Sequence, residues 1–419
     1  MFIHRQNALQ WKQEYIHNRP WYIQFLFKTS GFANPFVNHY CYFIHEPVYI
    51  VLGGIEMELL LWTIIAGIIF YFIKEKFFSH SPSETASAAV VMAYGIFIMG
   101  ALHELPFPSR IYQLLSIFLI LCWITIGSSY LNVAAHKEKR SDHFKNSMQI
   151  FAVGTWIAGT SVTGVVVANR LPEFSILAYV MGFIALFLWV FYVVIIMKRF
   201  VYIWKQEKFQ HVHGSVLLST VSTESLVVLF STLFGDQIPG FVYLFFISLG
   251  VVFYIIGFIY IARRYMNSKV QDIKKDWPNT NCIIHGAMSI TGLASTLSDV
   301  VPGPYILFIW FWVLIWYVAV EIIEIYRAWV RIRDLGFEEG IGSYNVTQWS
   351  RNFTFGMLYA FTLSFDATEL PWVTASILPS IRVFILIAGA WIILFFIIYE
   401  SILFVKGKSL LNKKNLVTE

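Results

Sequence analysis

Long apolar segments recur along almost the entire chain, separated by short polar loops. Each is about 20 residues long, the length that an α-helix needs to cross the ~30 Å hydrocarbon core of a bilayer. Of the 419 residues, 58% are hydrophobic and only 13% are charged, which leaves too little polar surface for a water-soluble protein of this size. The sequence therefore predicts an all-α integral membrane protein.

The apolar segments predict eleven membrane-spanning helices. Their approximate bounds are 48–73, 86–105, 111–132, 148–168, 174–197, 212–234, 241–262, 281–298, 304–326, 348–367 and 380–405. The predicted parts of the chain are an aromatic-rich leader (1–47), an extra transmembrane helix with its linker (48–84), a ten-helix core (85–405) and a basic tail (406–419). The N-terminus does not resemble a secretory signal peptide, which has one short apolar core.

The loops between these helices fall into two classes by charge. Lys and Arg are concentrated in the loops 136–145, 198–208, 263–275 and 327–351 and in the tail. The loops between them, such as 'FGDQIPG' and 'SDVVPGP', are short and poor in positive charge. Because excess positive charge stays cytoplasmic, we expect the basic loops and the C-terminus inside the cell and the leader outside, at the interface. The net charge of +5 thus reflects topology, and nucleic acid is not an expected partner.

A repeat is visible in the last ten predicted helices, which pair into five hairpins. The first helix of each hairpin contains glycine, and four of the five are crowded with Ser and Thr, as in 'GTSVTG' and 'GAMSITGLAST'. The second helices are almost continuously aliphatic and aromatic, as in 'YILFIWFWVLIWYVAVEII'. This alternation predicts two concentric rings, with the small-residue helices innermost and the bulky helices against lipid.

Small and hydroxylated residues of the first helices are candidates for lining a central pore, because backbone and hydroxyl dipoles can face water without a buried charge. The predicted lining residues are Gly95, Gly159, Thr160, Gly214, Ser215, Ser222, Glu224, Gly286, Ser289 and Gly356. A second interpretation stays open, since the same residue types also allow close helix packing. The pore requires that these five helix faces meet around a hydrated route.

Several titratable residues fall within or beside the predicted helices. Glu224 lies in mid-span, where it is either a proton-sensitive group on the pore or an acid that hydrogen-bonds a neighbouring helix. His285, like His211 and His213, lies near an inner helix end, where it either contacts a substrate or senses pH, or serves as an ordinary hydrogen-bonding group.

Helical spacing places acidic and basic residues together in the ninth predicted span and beyond it. Glu321 and Glu324 precede Arg327 at distances that predict local ion pairs. The three cysteines, Cys41, Cys122 and Cys282, have no metal-ligand spacing, so neither a metal site nor a cofactor is expected.

Five sequence runs resemble one known family. 'GTWIAGTSVTG', 'HGSVLLSTVSTESLVVL', 'HGAMSITGLA' and 'WSRNFTFGMLYAFTL' are similar to the third, fifth, seventh and ninth helices of the tellurite-resistance and dicarboxylate transporter family, which includes the slow-type anion channels of plant guard cells. 'VVMAYGIFIMGALHEL' resembles its first helix more loosely. The resemblance covers about residues 85–405, so the extra N-terminal helix lies outside it.

The resemblance implies five hairpins around one pore in each subunit of a homotrimer, and passage of chloride, nitrate, sulfite or dicarboxylates such as malate. It also implies that Phe355, within the run Phe353-Thr354-Phe355-Gly356, is the aromatic gate. Two departures from the family affect the pore. Tyr94 stands in the predicted span 86–105, which corresponds to the family's first helix, and could narrow the route there. Arg351 lies at the inner entrance of the span 348–367, which corresponds to the family's ninth helix. Arg351 is therefore expected to favour anions.

Three functions remain open from the sequence. The first is a passive anion channel gated by Phe355, and the second is a proton-coupled carrier or exporter of sulfite or dicarboxylate that uses Glu224. The third is a membrane subunit of a respiratory complex. All three place the chain in the cell membrane as a multi-pass protein without enzymatic activity of its own.

Overall fold

A computed structural model describes residues 84–135, 148–267, 272–365 and 378–418, together with Ile65, Gly67 and Ile68. All regular secondary structure in these ranges is helical. Ten α-helices of 12 or more residues follow one another: α1 Ala88–Met99, α2 Ser109–Ala135, α3 Gly154–Arg170, α4 Ser175–Lys205, α5 Leu218–Phe234, α6 Gly240–Asn267, α7 Ile283–Ser298, α8 Gly303–Gly340, α9 Trp349–Ser364 and α10 Leu378–Thr418.

Seven of the described helices are long and apolar enough to cross a bilayer, which confirms a multi-pass, all-α membrane protein. The remaining three, α1, α7 and α9, have 12, 16 and 16 residues and fall short of that standard. Most of their residues are buried within the bundle. A helix shielded from lipid by other helices need be neither as long nor as apolar as one that faces lipid.

The odd-numbered helices pack against one another in chain order. Helix α3 contacts α1 and α5, α7 contacts α5 and α9, and α9 also contacts α1. The even-numbered helices pack on the outside of these contacts: α2 on α1 and α3, α4 on α3 and α5, α6 on α5 and α7, α8 on α7, and α10 on α9 and α1.

Burial separates the two sets of helices. The apolar stretches that contain α3 and α5 are 89% and 78% buried, whereas those of α2, α4, α6, α8 and α10 are between 17% and 39% buried. Large side chains such as Phe183, Phe308 and Phe384 stand exposed on the even-numbered helices. A membrane protein places such residues against lipid, because the bilayer removes them from water.

Each odd-numbered helix is preceded by a short helical turn. These turns are Thr85–Ser87, Gln149–Ala152, Gly214–Leu217, Asn279–Cys282 and Val346–Gln348. Each turn packs against the next one in chain order, and the last packs against the first. The five odd-numbered helices therefore begin at the same end of the bundle, in one repeated local arrangement.

Several helices extend beyond their predicted ends. Helix α8 continues past 326 to Gly340 and α10 past 405 to Thr418. Gly336 interrupts the regular backbone of α8 with a φ of 77°, a left-handed conformation that glycine adopts without strain. The leader and nearly all of the first predicted span, 48–73, lie outside the described residues, apart from the three helical positions Ile65, Gly67 and Ile68.

Candidate functional site

The glycines predicted to line a pore lie at contacts between neighbouring helices. A methyl group on Gly286 would overlap Thr354 of α9, and one on Gly356 would overlap Ile96 of α1. The others meet different helices: Gly95 faces Val162, Gly159 faces the backbone of Ala88, and Gly214 faces the backbone of Thr280. In this conformation these glycines allow close packing of the odd-numbered helices, as the packing interpretation of the sequence requires.

Three of the predicted polar lining residues are engaged within or between helices. Thr160 accepts a hydrogen bond from Trp123 Nε1 of α2 at 2.9 Å, and Ser289 donates to the carbonyl of His285 in its own helix at 2.9 Å. Glu224 is fully buried, and its Oε1 accepts a hydrogen bond from Thr291 of α7 at 3.3 Å. The same carboxyl fills the space that the missing side chain of Gly250 in α6 leaves open. Thr160 and Glu224 thus face even-numbered neighbours.

The other two serines predicted to line the pore, Ser215 and Ser222, lie at the start and in the middle of the α5 segment. Ser215 belongs to the turn before α5, and its backbone N–H donates to Nδ1 of His213 at 3.4 Å. Ser222 donates its hydroxyl to the carbonyl of Ser219 at 3.1 Å, within its own helix. Two positions from Glu224, Ser222 faces Tyr192 of α4 rather than α6.

The side chain of Phe355 lies in an aromatic cluster between four helices. Its ring centroid is 5.2 Å from Tyr317 of α8, 5.2 Å from Phe396 of α10 and 6.4 Å from His285 of α7. The Arg351 guanidinium lies over the rings of Phe355 and Phe396, at 5.6 and 5.4 Å from their centroids. Phe355 therefore faces the even-numbered helices α8 and α10.

An ion pair closes this cluster at the end where α9 begins. Arg351 donates a hydrogen bond to Glu321 of α8, with side chains 28% and 12% exposed. The prediction that Glu321 pairs with Arg327 is wrong. Glu321 instead pairs with Arg351 of the adjoining helix α9, and Arg327 pairs with Glu324. The prediction of a Glu324–Arg327 pair is confirmed, with an N–O distance of 3.3 Å.

His285 is fully buried beside the same cluster, with neither ring nitrogen hydrogen-bonded to a described residue. Its ring meets Tyr317 edge-on at 5.3 Å between centroids. The sequence singled out His285, Phe355 and Arg351 separately but missed Tyr317 and Phe396, since nothing in an aromatic-rich span shows which rings meet.

We call the interior side of an odd-numbered helix the side that faces away from all of its even-numbered neighbours. The contacts that define it are made by Tyr94 with α10, Thr160 with α2, Glu224 with α6, His285 with α8, and Phe355 with α8 and α10. The Tyr94 side chain, which the sequence suggested as a constriction of the route, points to α10, where its hydroxyl lies 2.6 Å from the Ser401 hydroxyl.

The interior side is occupied by residues two positions before these contacts, because two residues turn a helix by about 200°. They are Met92, Ala158, Ile283 and Phe353, all 0% to 1% exposed. The corresponding residue of α5, Ser222, instead faces Tyr192 of α4. The residues two positions after these contacts in α7 and α9 are Ala287 and Met357, both 0% exposed. Ile96 and Val162 instead pack against Gly356 and Gly95 of neighbouring odd-numbered helices. Phe353 is the one aromatic ring among Met92, Ala158, Ile283, Phe353, Ala287 and Met357, and all six are buried in this conformation.

His213 precedes α5 at the end where the odd-numbered helices begin. Its Nδ1 lies 2.9 Å from the Thr280 hydroxyl, and burial, with a smaller contribution from Arg264, lowers its pKa to about 4. The folded state therefore prefers the neutral ring, whereas the unfolded chain binds a proton near pH 6.5. The stability that comes from the neutral ring is complete above pH 6.5 and is lost as the pH falls from 6.5 towards 4.

We expect the melting temperature in detergent to fall between pH 6.5 and 4.5. The free energy of unfolding should decrease over this range by a few kcal/mol at most. His213→Gln should flatten this part of the pH profile, because it removes the group that titrates. His211→Gln is the matched control, as His211 is exposed and two residues away. Identical pH profiles for wild type and His213→Gln, measured by thermal unfolding from pH 7.5 to 4.5, would contradict this.

Among the residues that the structure describes, no group of three or more His, Cys, Asp or Glu side chains could hold a metal ion. Cys122 and Cys282 are buried free thiols, as expected of packing residues. Cys41 lies outside the described ranges.

The fold and these contacts define a polytopic helical membrane protein in which five of the described helices are mostly buried and five carry many exposed apolar side chains. The chain belongs to the voltage-dependent anion channel family, whose model matches residues 84–399. No curated protein matches the chain. The family confirms the resemblance to tellurite-resistance and dicarboxylate transporters and indicates anion transport across a membrane rather than catalysis or a respiratory subunit.

Proposed function

We propose that this protein passes small anions across the cell membrane through a path along the interior sides of α1, α3, α5, α7 and α9. The observation that carries the proposal is the family match over residues 84–399. The packing order supports it, because five successive odd-numbered helices contact one another and the last contacts the first. Five hairpins in two concentric rings around a central route fit these contacts.

The described conformation is a closed state of the proposed path. The residues assigned to the interior sides, Met92, Ala158, Ile283, Phe353, Ala287 and Met357, are buried and apolar. An apolar constriction blocks ions because it excludes the water that they need. Opening requires that interior side chains move aside, and the glycines at the helix contacts let the inner helices shift with little steric hindrance.

An aromatic ring of α9 is proposed to close the path. The family resemblance assigns this role to Phe355, which lies against Tyr317 and Phe396 in this conformation. Helix geometry favours Phe353, since it lies on the interior side, and it is 1% exposed.

Chloride, nitrate, sulfite and dicarboxylates such as malate are the proposed substrates, on the family resemblance. The basic loops, including the entrance near Arg351, are proposed to face the cytoplasm together with the C-terminus. A homotrimer with one path per subunit is the proposed assembly. Since Arg351 is paired with Glu321, we attribute the preference for anions to the summed positive charge of the basic loops at that end rather than to Arg351 alone.

The test is anion flux in proteoliposomes that contain the purified chain, with chloride, nitrate, sulfite and malate supplied one at a time. We expect flux of at least one of these anions above protein-free vesicles, and none for potassium or choline. Equal flux of cations and anions, or none of any anion in correctly folded protein, would remove the proposal.

A proton-coupled carrier that uses Glu224 is the second candidate, supported by the complete burial of that carboxyl and by its Oε2, which has no described hydrogen-bond partner. Because Glu224 contacts Gly250 of α6 and Thr291 of α7, we assign it to the contact between these helices rather than to the path. We therefore expect Glu224→Gln to keep anion flux within about twofold of wild type, a barrier change below ~0.5 kcal/mol.

Flux measured with and without an imposed pH gradient separates the two candidates. A channel should show no acceleration by the gradient in either wild type or Glu224→Gln. Thr291→Val is the matched control, because it removes the hydrogen bond to Glu224 but leaves the carboxyl. Gradient-driven uptake in wild type that vanishes only in Glu224→Gln would establish the carrier.

A further inference from the structure

A pocket of about 550 Å³ lies where α8, the segment before α7 and the segment before α9 meet. It is separate from the interior sides of the odd-numbered helices, since its walls come from the end of α8 and from loop residues. Lys274, Lys275, Arg327 and Arg331 line it, with Asp272 as the one acid among the lining residues. Four cations against one acid give the lining a formal charge of +3.

Two of the four cations are already partnered. Arg327 pairs with Glu324 at 3.3 Å, and Lys274 pairs with Asp334 at 2.7 Å. Arg331 and Lys275 make no side-chain hydrogen bond to a described residue, and Nε of the buried Arg327 has no described partner either. The pocket thus offers at least three unused donors that carry positive charge.

We propose that this pocket binds the phosphomonoester group of a small ligand and regulates the channel. A phosphomonoester carries about −1.5 to −2 charges and three acceptor oxygens, which match two guanidinium groups and an ammonium. The planar fork of Arg331 suits two phosphate oxygens at once, and Lys275 adds a point charge. A chloride ion is a single small acceptor, so it would neither need the two parallel donors of the Arg331 guanidinium nor fill the pocket.

The size of the pocket indicates that more than a phosphate binds. Sites for small molecules enclose about 300–1,000 Å³, and this pocket lies within that range. Tyr344 and Leu335 supply an aromatic and an apolar wall beside the charges. The phosphate therefore belongs either to a soluble phosphate ester or to a lipid head group that enters from the membrane interface.

Hydrogen bonds connect the pocket to the start of α9. Arg327 donates to Asn279 at 2.6 Å, Asn279 donates to Thr347 at 3.0 Å, and Thr347 donates to Asn345 at 2.7 Å. Asn345 and Gln348 form a capping box in the turn that leads into α9. A phosphate that draws Arg327 towards itself weakens its bond to Asn279 and so alters the support of α9. The effect on flux rests on the proposed function, whereas binding does not.

The test is calorimetric titration of the full-length protein in detergent with inorganic phosphate and with adenosine monophosphate, at constant ionic strength. A second arm measures binding in nanodiscs that contain phosphatidic acid, a phosphomonoester lipid, against phosphatidylglycerol, a phosphodiester. We expect Arg331→Gln and Lys275→Gln each to weaken binding about tenfold, the loss of a charged hydrogen bond. If the two variants bind adenosine monophosphate more weakly than wild type does, the ligand is a soluble ester. If they bind phosphatidic acid more weakly, the ligand is a lipid.

Arg333→Gln is the matched control. It removes the same charge two residues along α8, but Arg333 is 58% exposed, pairs with Asp334 and does not line the pocket. Binding should persist in this variant, and all three variants should melt at the wild-type temperature. No binding of either probe class to wild type overturns the proposal, as does equal weakening by Arg333→Gln, which would indicate attraction by surface charge alone.

Discussion

Phe353→Ala is expected to raise anion flux in proteoliposomes by a factor on the order of ten or more, which corresponds to a barrier lowered by at least ~1.4 kcal/mol. Phe353 is 1% exposed and lies two positions from Phe355, whose ring is held by α8 and α10. Alanine at 353 shortens the largest side chain on the interior side of α9 and opens room for water, which an anion needs in order to pass.

Phe355→Ala is the matched control, since it removes the same ring from the other side of the same helix. It should leave a cavity among Tyr317, Phe396 and His285 and destabilise the protein by about 3–5 kcal/mol, with flux close to wild type. Thermal unfolding of both variants distinguishes a stability loss from an open path. Higher flux in Phe355→Ala and unchanged flux in Phe353→Ala would instead assign the gate to Phe355, as the family resemblance does.

The distinction between these two rings shows what a sequence can and cannot predict for this chain. The motif Phe353-Thr354-Phe355-Gly356 identifies the helix and the residue type, because both are local properties of the chain. Which ring faces inward depends on the neighbours of α9. Thr354 meets Gly286 of α7 and Gly356 meets Ile96 of α1, and these two contacts fix the rotation of the helix.

The helices themselves were largely predictable, since each apolar run carries its own signal. The predicted segments 111–132, 174–197 and 241–262 fall within α2, α4 and α6, apart from one residue before α4. The number of long spans was not predictable, because α1, α7 and α9 are shortened and shielded by neighbours that no local window includes. The basic pocket was missed for the same reason, as its residues come from three separate segments.

Arg351→Gln is expected to destabilise the protein by about 3 kcal/mol, the low end of the range for breaking a buried ion pair. The low end applies because the pair is only partly buried: the Arg351 side chain is 28% exposed and the Glu321 side chain 12% exposed. The loss arises because the Glu321 carboxylate is left in a low-dielectric site without its cation, and Phe355 and Phe396 lose the guanidinium above their rings. Thermal unfolding in detergent measures the effect.

The double variant Glu321→Gln with Arg351→Gln separates charge from packing. Two amides can hydrogen-bond each other without any buried charge, so the double variant should recover more than half of the stability that Arg351→Gln loses. Arg333→Gln, which breaks an exposed pair with Asp334, should change stability by less than about 1 kcal/mol. If the double variant is as unstable as the sum of its single substitutions, the guanidinium stabilises the cluster through its contacts with the rings, and its pairing with Glu321 is secondary.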